Sequence, residues 1–162
     1  NNFSKSAKEM GVKIDWKAFK NYLAEFAEET NSFTLKYYTG VHDNPSQAQK
    51  KWFDRLERLK YEVIGFPLSQ QDHGNFKTVG DDTAICIDLI EDVKADDQVV
   101  LVTGDGDFIP LVEKLIAKGA KVTVIGFSFN TSRHLKQLLQ EDFISIDSVI
   151  EKIVTLKKLN AA

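Results

Sequence analysis

Two runs in the second half of this chain, Gln98-Val99-Val100-Leu101-Val102-Thr103 and Lys121-Val122-Thr123-Val124-Ile125-Gly126-Phe127, read as apolar strands, with a helix-like stretch between them. Such strands need cover on both faces, and a helical crossover supplies it, so the pattern implies a parallel pair inside an α/β architecture. The alternation extends along most of the chain. Residues 33–39 are aromatic and β-branched and predict a strand; Asn44-Pro45 then supplies an N-cap and a first-turn proline, with Trp52, Leu56 and Leu59 at helical spacing. A short strand is expected over 61–66, a polar loop over 69–77 and an apolar element over 81–95. A helix over 108–118 presents Phe108, Leu111, Val112 and Leu115 on one face, and Gly119 is placed to cap it. A helix over about 131–140, a strand over 143–146 and a last helix from about 148 complete the pattern. The expected fold is one α/β domain over residues 1–162, a three-layer sandwich around a mainly parallel sheet. Asn1-Asn2-Phe3 reads as a start in mid-structure, with its first strand upstream of residue 1.

The 162 residues are enough to bury a core without disulfides. The single cysteine, Cys86, lies in an apolar run, so it is expected as a small core residue in a reducing cytoplasm. No run approaches the roughly 20 apolar residues that span a bilayer, and no signal peptide is visible, so no membrane partner is expected. The net charge of −3 argues against indiscriminate coating of nucleic acid.

Chemistry is most legible at Gly104-Asp105-Gly106-Asp107-Phe108, directly after the strand 98–103. Two carboxylates at the carboxyl end of a buried strand occupy the position where open α/β sheets make ligand sites. Clustered carboxylates are the usual holders of Mg²⁺ or Mn²⁺. The plain structural account competes: Asp107 caps the helix beginning at Phe108, and Asp105 with its glycines makes the turn. Asp88 interrupts the otherwise apolar run Ala84 to Ile90, so it needs a partner, a proton or a metal; an ion pair with a lysine or arginine is the structural account. Asp81 and Asp82 suit the first turn of the same element. On a helix, Asp82 lies about 120° around the axis from Asp88, whereas Asp81 and Asp88 nearly share a face.

The three histidines and the lone cysteine have no zinc spacing, and no nucleophile elbow, P-loop or dinucleotide fingerprint is present. Lys50, Lys51, Arg55, Arg58 and Lys60 read as a solvated helix face. Ser128, Asn130, Thr131 and Ser132, followed by Arg133 and Lys136, stand at a strand's carboxyl end and are suited to phosphate, although a loop and N-cap would use the same residues. Phe127 and Phe129 are candidates for base stacking, with Phe127 expected in the core.

Taken together, these segments make the chain resemble the NYN domains, a branch of the PIN-like nuclease superfamily, and within it the bacterial LabA-like group. The resemblance is carried by Thr103 to Val112, by Gly119 to Gly126, by Gly80-Asp81-Asp82 through Asp88, and by Thr131 to Leu135 with Glu141 to Ile144. On that matching Asp82, rather than Asp81, takes the acidic position. The family opens with a strand ending in Asp-x-x-Asn; Asn2 matches the Asn, so the matching Asp would lie upstream of residue 1. The resemblance implies a metal-dependent ribonuclease-type phosphodiesterase acting on RNA. Asp82, Asp88, Asp105 and Asp107 would form its acidic centre with one or two Mg²⁺ or Mn²⁺ ions. Asp82 and Asp105 would be direct ligands, with Asp107 and Asp88 as ligands or acting through water. Asn2 and Thr103 would position ligands or substrate, and Ser132 and Arg133 would meet the phosphate backbone. A non-catalytic regulatory module binding RNA or protein on the same fold is the alternative. A phosphoaspartyl phosphatase is disfavoured because Phe108-Ile109 follows the Asp pair where a hydroxyl residue is needed. The sequence sets no oligomeric state, and a homodimer is compatible with it.

Overall fold

The computed structural model describes residues 2–27, 33–71 and 76–154, which divide into two compact units. The middle unit spans 32–93, and the terminal unit joins 2–31 to 94–162. The expected α/β fold with mainly parallel pairing is what forms: three strand pairings are parallel and one is antiparallel.

In the middle unit, β1 (Leu35–Val41) runs parallel to β2 (Tyr61–Gln70), which pairs antiparallel with β3 (Phe76–Thr78). Helix α3 (Gln47–Arg58) connects β1 to β2 and packs on β2 through Leu56, which is fully buried. Its cap is Ser46, whose hydroxyl accepts the Gln49 N–H at 3.1 Å, and not Asn44 as the Asn-Pro pair suggested. Lys50, Lys51, Arg55, Arg58 and Lys60 are exposed, as a solvated face requires. The polar stretch expected as a loop over 69–77 is partly strand: β2 runs on to Gln70, and Phe76 and Lys77 pair with Gln70 and Ser69. Residues 72–75, including His73, lie outside the described set. Pro67 tolerates this length because it faces Val41 at the end of β1, and pairing with β3 begins at Leu68. Its missing N–H therefore falls where one ladder gives way to the other. Helix α4 (Asp81–Asp92) follows and packs on β1.

The terminal unit begins with two helices, α1 (Asn2–Glu9) and α2 (Trp16–Ala24), in a stretch that the sequence reading treated only as a start in mid-structure. Asp15 caps α2, accepting the N–H groups of Lys17 and Ala18 at 3.0 and 3.1 Å. Trp16, Phe19 and Leu23 are buried along that helix, and Phe3 of α1 stacks on Phe19 at 5.3 Å. The sheet has the order β4 (Gln98–Val102), β5 (Lys121–Gly126), β6 (Phe143–Ser145), all parallel. Beyond Lys121, every residue of β5 is buried, as befits the central strand of a sheet covered on both faces. Helix α5 (Ile109–Ala117) returns from β4 to β5 and buries Leu111, Val112 and Leu115. Gly119 follows it at φ +89°, the left-handed geometry expected of its cap. Helices α6 (Arg133–Leu139) and α7 (Ile146–Ile153) flank β6, and Ile14 makes an antiparallel bridge to Val154. Among the described residues, no helix is long and apolar enough to cross a membrane.

Candidate functional site

The strand-to-helix junction singled out in the sequence opens on a cavity of about 310 Å³ in the terminal unit. Its walls are Thr103 to Gly106 after β4, Gly126 and Phe127 at the end of β5, Asn130 and Ser132 before α6, and Phe3 and Ser6 of α1. The geometry follows from the sheet. Parallel strands β4 and β5 end together, and Thr103 extends their ladder by donating its N–H to the Ile125 carbonyl at 3.0 Å. The two following loops then meet: Ser132 donates its N–H to the Gly104 carbonyl at 2.9 Å. The Ser132 N–H is therefore spent on the loop and is not offered to a phosphate, while its side chain lines the cavity.

Glycine is what allows that meeting. A Cβ at Gly126 would stand 2.5 Å from Thr131 Oγ1 and 2.7 Å from the Thr103 carbonyl oxygen. Gly106 would meet Ser132 Oγ at 2.9 Å in the same way.

Asp105 sits half-buried on the cavity wall. Its N–H donates to the Thr103 hydroxyl at 3.1 Å, and its Oδ1 accepts the Asp107 N–H at 3.0 Å. Capping thus belongs to Asp105, which closes a 3₁₀ turn over Gly106–Phe108, and not to Asp107, which is exposed in that turn. Thr103 is buried. Arg133 is exposed at the start of α6. Lys136 is occupied, donating from Nζ to the Ser128 carbonyl at 2.9 Å. Asn2 opens α1, but its side chain lies outside the described set.

The other two candidate carboxylates belong to the middle unit. Asp82 is exposed in the first turn of α4, where it favours the helix dipole, and the neighbouring Asp81 is buried. Asp88 has the ion pair of the structural account: its Oδ2 accepts from Tyr38 Oη at 2.5 Å and from Lys36 Nζ at 3.2 Å. Lys36 also reaches Asp92 at 3.1 Å. The Tyr38 hydrogen bond first, and then Lys36, hold the Asp88 carboxyl below its ordinary range. Burial, followed by Asp88, pushes the Tyr38 phenol up. This arrangement clamps α4 to β1. We expect Asp88→Asn to cost about 1 kcal/mol in a denaturant titration, since the contacts are partly exposed. An unchanged midpoint would show that the clamp contributes nothing. Cys86 is half-buried rather than a core residue, and burial raises its thiol pKa, with Asp82 adding to the effect.

Sequence reasoning missed Asp147. Its Oδ2 accepts the Ser128 N–H at 2.9 Å and the Ser145 hydroxyl at 2.7 Å, fixing the loop after β5 to the start of α7. Hydrogen bonding from the Ser128 side chain first, then from the Ser145 hydroxyl and the Ser128 N–H, lowers its pKa to about 2. Only the Ser-x-Asp spacing at the start of α7 hinted at a cap; the link to Ser128 spans a crossover. Because the folded pKa lies below the unfolded value of about 4, the contribution is complete above pH 4 and disappears as pH falls towards 2. The melting difference between the parent chain and Asp147→Asn should therefore be constant near neutrality and shrink across that interval. A difference independent of pH would show that the charge on Asp147 does not matter.

Residues 1–147 match the family described as NYN domain, and the match runs through both units. The Low amplitude and bright protein LabA of Synechococcus elongatus is 31% identical over 159 residues, covering 94% of this chain and 84% of its own length. A crystal structure of a protein of unknown function from Vibrio parahaemolyticus superposes with a TM-score of 0.65 at 27% identity, covering 94% of this chain and 89% of that one. A match over nearly the whole chain, together with that identity, decides the family: this chain belongs to the NYN domain family, within the PIN-like nuclease superfamily.

Proposed function

We propose that the chain is a metal-dependent ribonuclease-type phosphodiesterase whose chemistry is centred on Asp105. One observation carries the reading: a half-buried aspartate, whose carboxylate accepts the Asp107 N–H and whose backbone N–H is held by the Thr103 hydroxyl, lines a cavity at the carboxyl ends of two parallel strands in a nuclease-type family. The donors there are hard oxygens, the carboxylate of Asp105 with the hydroxyl of Ser132 and the amide of Asn130 nearby, which fits Mg²⁺ or Mn²⁺. Within either unit the described residues gather no group of three His, Cys, Asp or Glu able to hold an ion alone. The fit is therefore that of a site which keeps water and substrate oxygens among its ligands, as Mg²⁺ sites commonly do.

Such an ion, when bound, supplies a water-derived nucleophile and offsets charge on the phosphate. Asp105 binds it, with Thr103 holding the Asp105 backbone and the Asp107 N–H orienting Oδ1. Asp107, on the same turn, acts as a further ligand or through water. Ser132 and Arg133 meet the substrate phosphate, and Asn2 and Thr103 position ligands or substrate. Roles for Asp82 and Asp88 rest on the sequence resemblance, and Asp88 already has protein partners. RNA is the proposed partner.

The test is cleavage of end-labelled single-stranded RNA by the full protein with Mn²⁺, with Mg²⁺ and with chelator. Cleavage confined to the metal-containing reactions is expected. Metal-independent RNA binding without turnover would replace the nuclease by a binding module.

A further inference from the structure

We propose that Phe129 is a stacking platform for an unpaired nucleobase beside the Asp105 cavity; this rests on the proposed function for the cavity's role but not for the stacking itself. Phe127 and Phe129 are near neighbours in sequence with opposite fates. Phe127 is 2% exposed and lines the cavity, whereas Phe129 is 55% exposed. Their ring centroids are 5.8 Å apart. Behind Phe127 stands Phe3, at 5.5 Å, which in turn stacks on Phe19 at 5.3 Å with 15° between the planes. The exposed ring is thus the outermost of a series of contacting aromatic rings, tilted by 53° between Phe129 and Phe127 and by 35° between Phe127 and Phe3, that leads into the core of the unit.

The segment carrying Phe129 is held on both sides. The N–H groups of Asn130 and Thr131 both donate to the Phe127 carbonyl, at 3.3 and 3.1 Å, and the Thr131 hydroxyl donates to it at 2.7 Å. Ser128 is fixed through its N–H to Asp147 and through its carbonyl to Lys136. The Asn130 amide donates to the Ser6 hydroxyl. An aromatic ring presented on a pinned turn loses little freedom on binding, which is what a stacking residue needs. In sequence Phe129 lies between Phe127 and Asn130, both of which line the cavity. Arg133, exposed nearby in the chain, adds a cation for the backbone. In a duplex the base faces are covered by their neighbours, so only an unpaired nucleotide offers a face to this ring.

The test measures binding of the parent chain, Phe129→Ala and Phe129→Trp to a fluorescent single-stranded RNA and to a duplex of the same sequence. Each titration is run with Mn²⁺ and with chelator. We expect Phe129→Ala to weaken single-strand binding roughly tenfold at unchanged melting temperature, and Phe129→Trp to restore it with quenching of the new indole. Stacking with no metal-dependent cleavage would uphold this inference while removing the nuclease reading. Metal-dependent cleavage with equal affinity of the parent chain and Phe129→Ala would overturn the stacking alone. Failure of the parent chain to bind single strands, or equal binding to the duplex, would also overturn it.

Discussion

An Asp105→Asn chain is expected to lose metal-dependent RNA cleavage by about a hundredfold or more while melting at, or slightly above, the temperature of the parent. The two halves of that expectation have separate physical origins. Asparagine keeps the oxygen that accepts the Asp107 N–H, at 3.0 Å in the parent, and caps about as well as aspartate. The backbone bond from Asp105 to the Thr103 hydroxyl does not involve the side chain's charge. The turn should therefore survive, and removing a half-buried negative charge near Asp107 relieves repulsion. What disappears is the anionic donor that a hard cation needs, since an amide oxygen is a weaker ligand. Calorimetric titration of Mn²⁺ into both proteins reads the same loss without turnover. A clear drop in melting temperature would assign Asp105 a structural role. Full cleavage by the variant would remove it from the chemistry.

The position of Asp105 was legible because two strong local signals coincide there. An apolar strand fixes where the sheet ends, and Gly104 and Gly106 fix where the chain turns. Which carboxylate caps the turn was less legible, because Asp105 and Asp107 are equally good cappers and a one-residue difference in backbone geometry chooses between them. The same ambiguity moved the α3 cap from Asn44 to Ser46. Asp88 was rightly read as needing a partner, but Lys36 and Tyr38 lie on β1, and a single sequence does not reveal register across a crossover. The N-terminal helices were missed despite their apolar spacing, with Trp16, Phe19 and Leu23 buried behind the Asp15 cap. The far wall of the cavity, Phe3 and Ser6, was lost with them. The expectation of Cys86 as a core residue failed for a related reason. Ile87 and Ile90 are 50% and 42% exposed, so an apolar run did not make an element buried all round.

Gly126→Ala should be the most damaging single-methyl change in the terminal unit, costing about 1–3 kcal/mol in a denaturant titration. The added Cβ would face two obstacles of different kinds: Thr131 Oγ1 at 2.5 Å and the Thr103 carbonyl oxygen at 2.7 Å. Thr131 is buried and its hydroxyl is committed to the Phe127 carbonyl at 2.7 Å, so rotating it away breaks that bond. The Thr103 carbonyl is backbone at the end of β4, one residue beyond its ladder with β5, and moving it displaces the residue on which Asp105 hangs. Removing the hydroxyl in Gly126→Ala/Thr131→Ala should recover only part of the loss, because the backbone obstacle remains. That non-additivity separates the two contributions, as neighbouring sites permit. Complete recovery in the double variant would place all the strain on Thr131. A parent-like midpoint for Gly126→Ala alone would mean that the ends of β4 and β5 can part without cost, and the cavity could then not hold Asp105 in a fixed position.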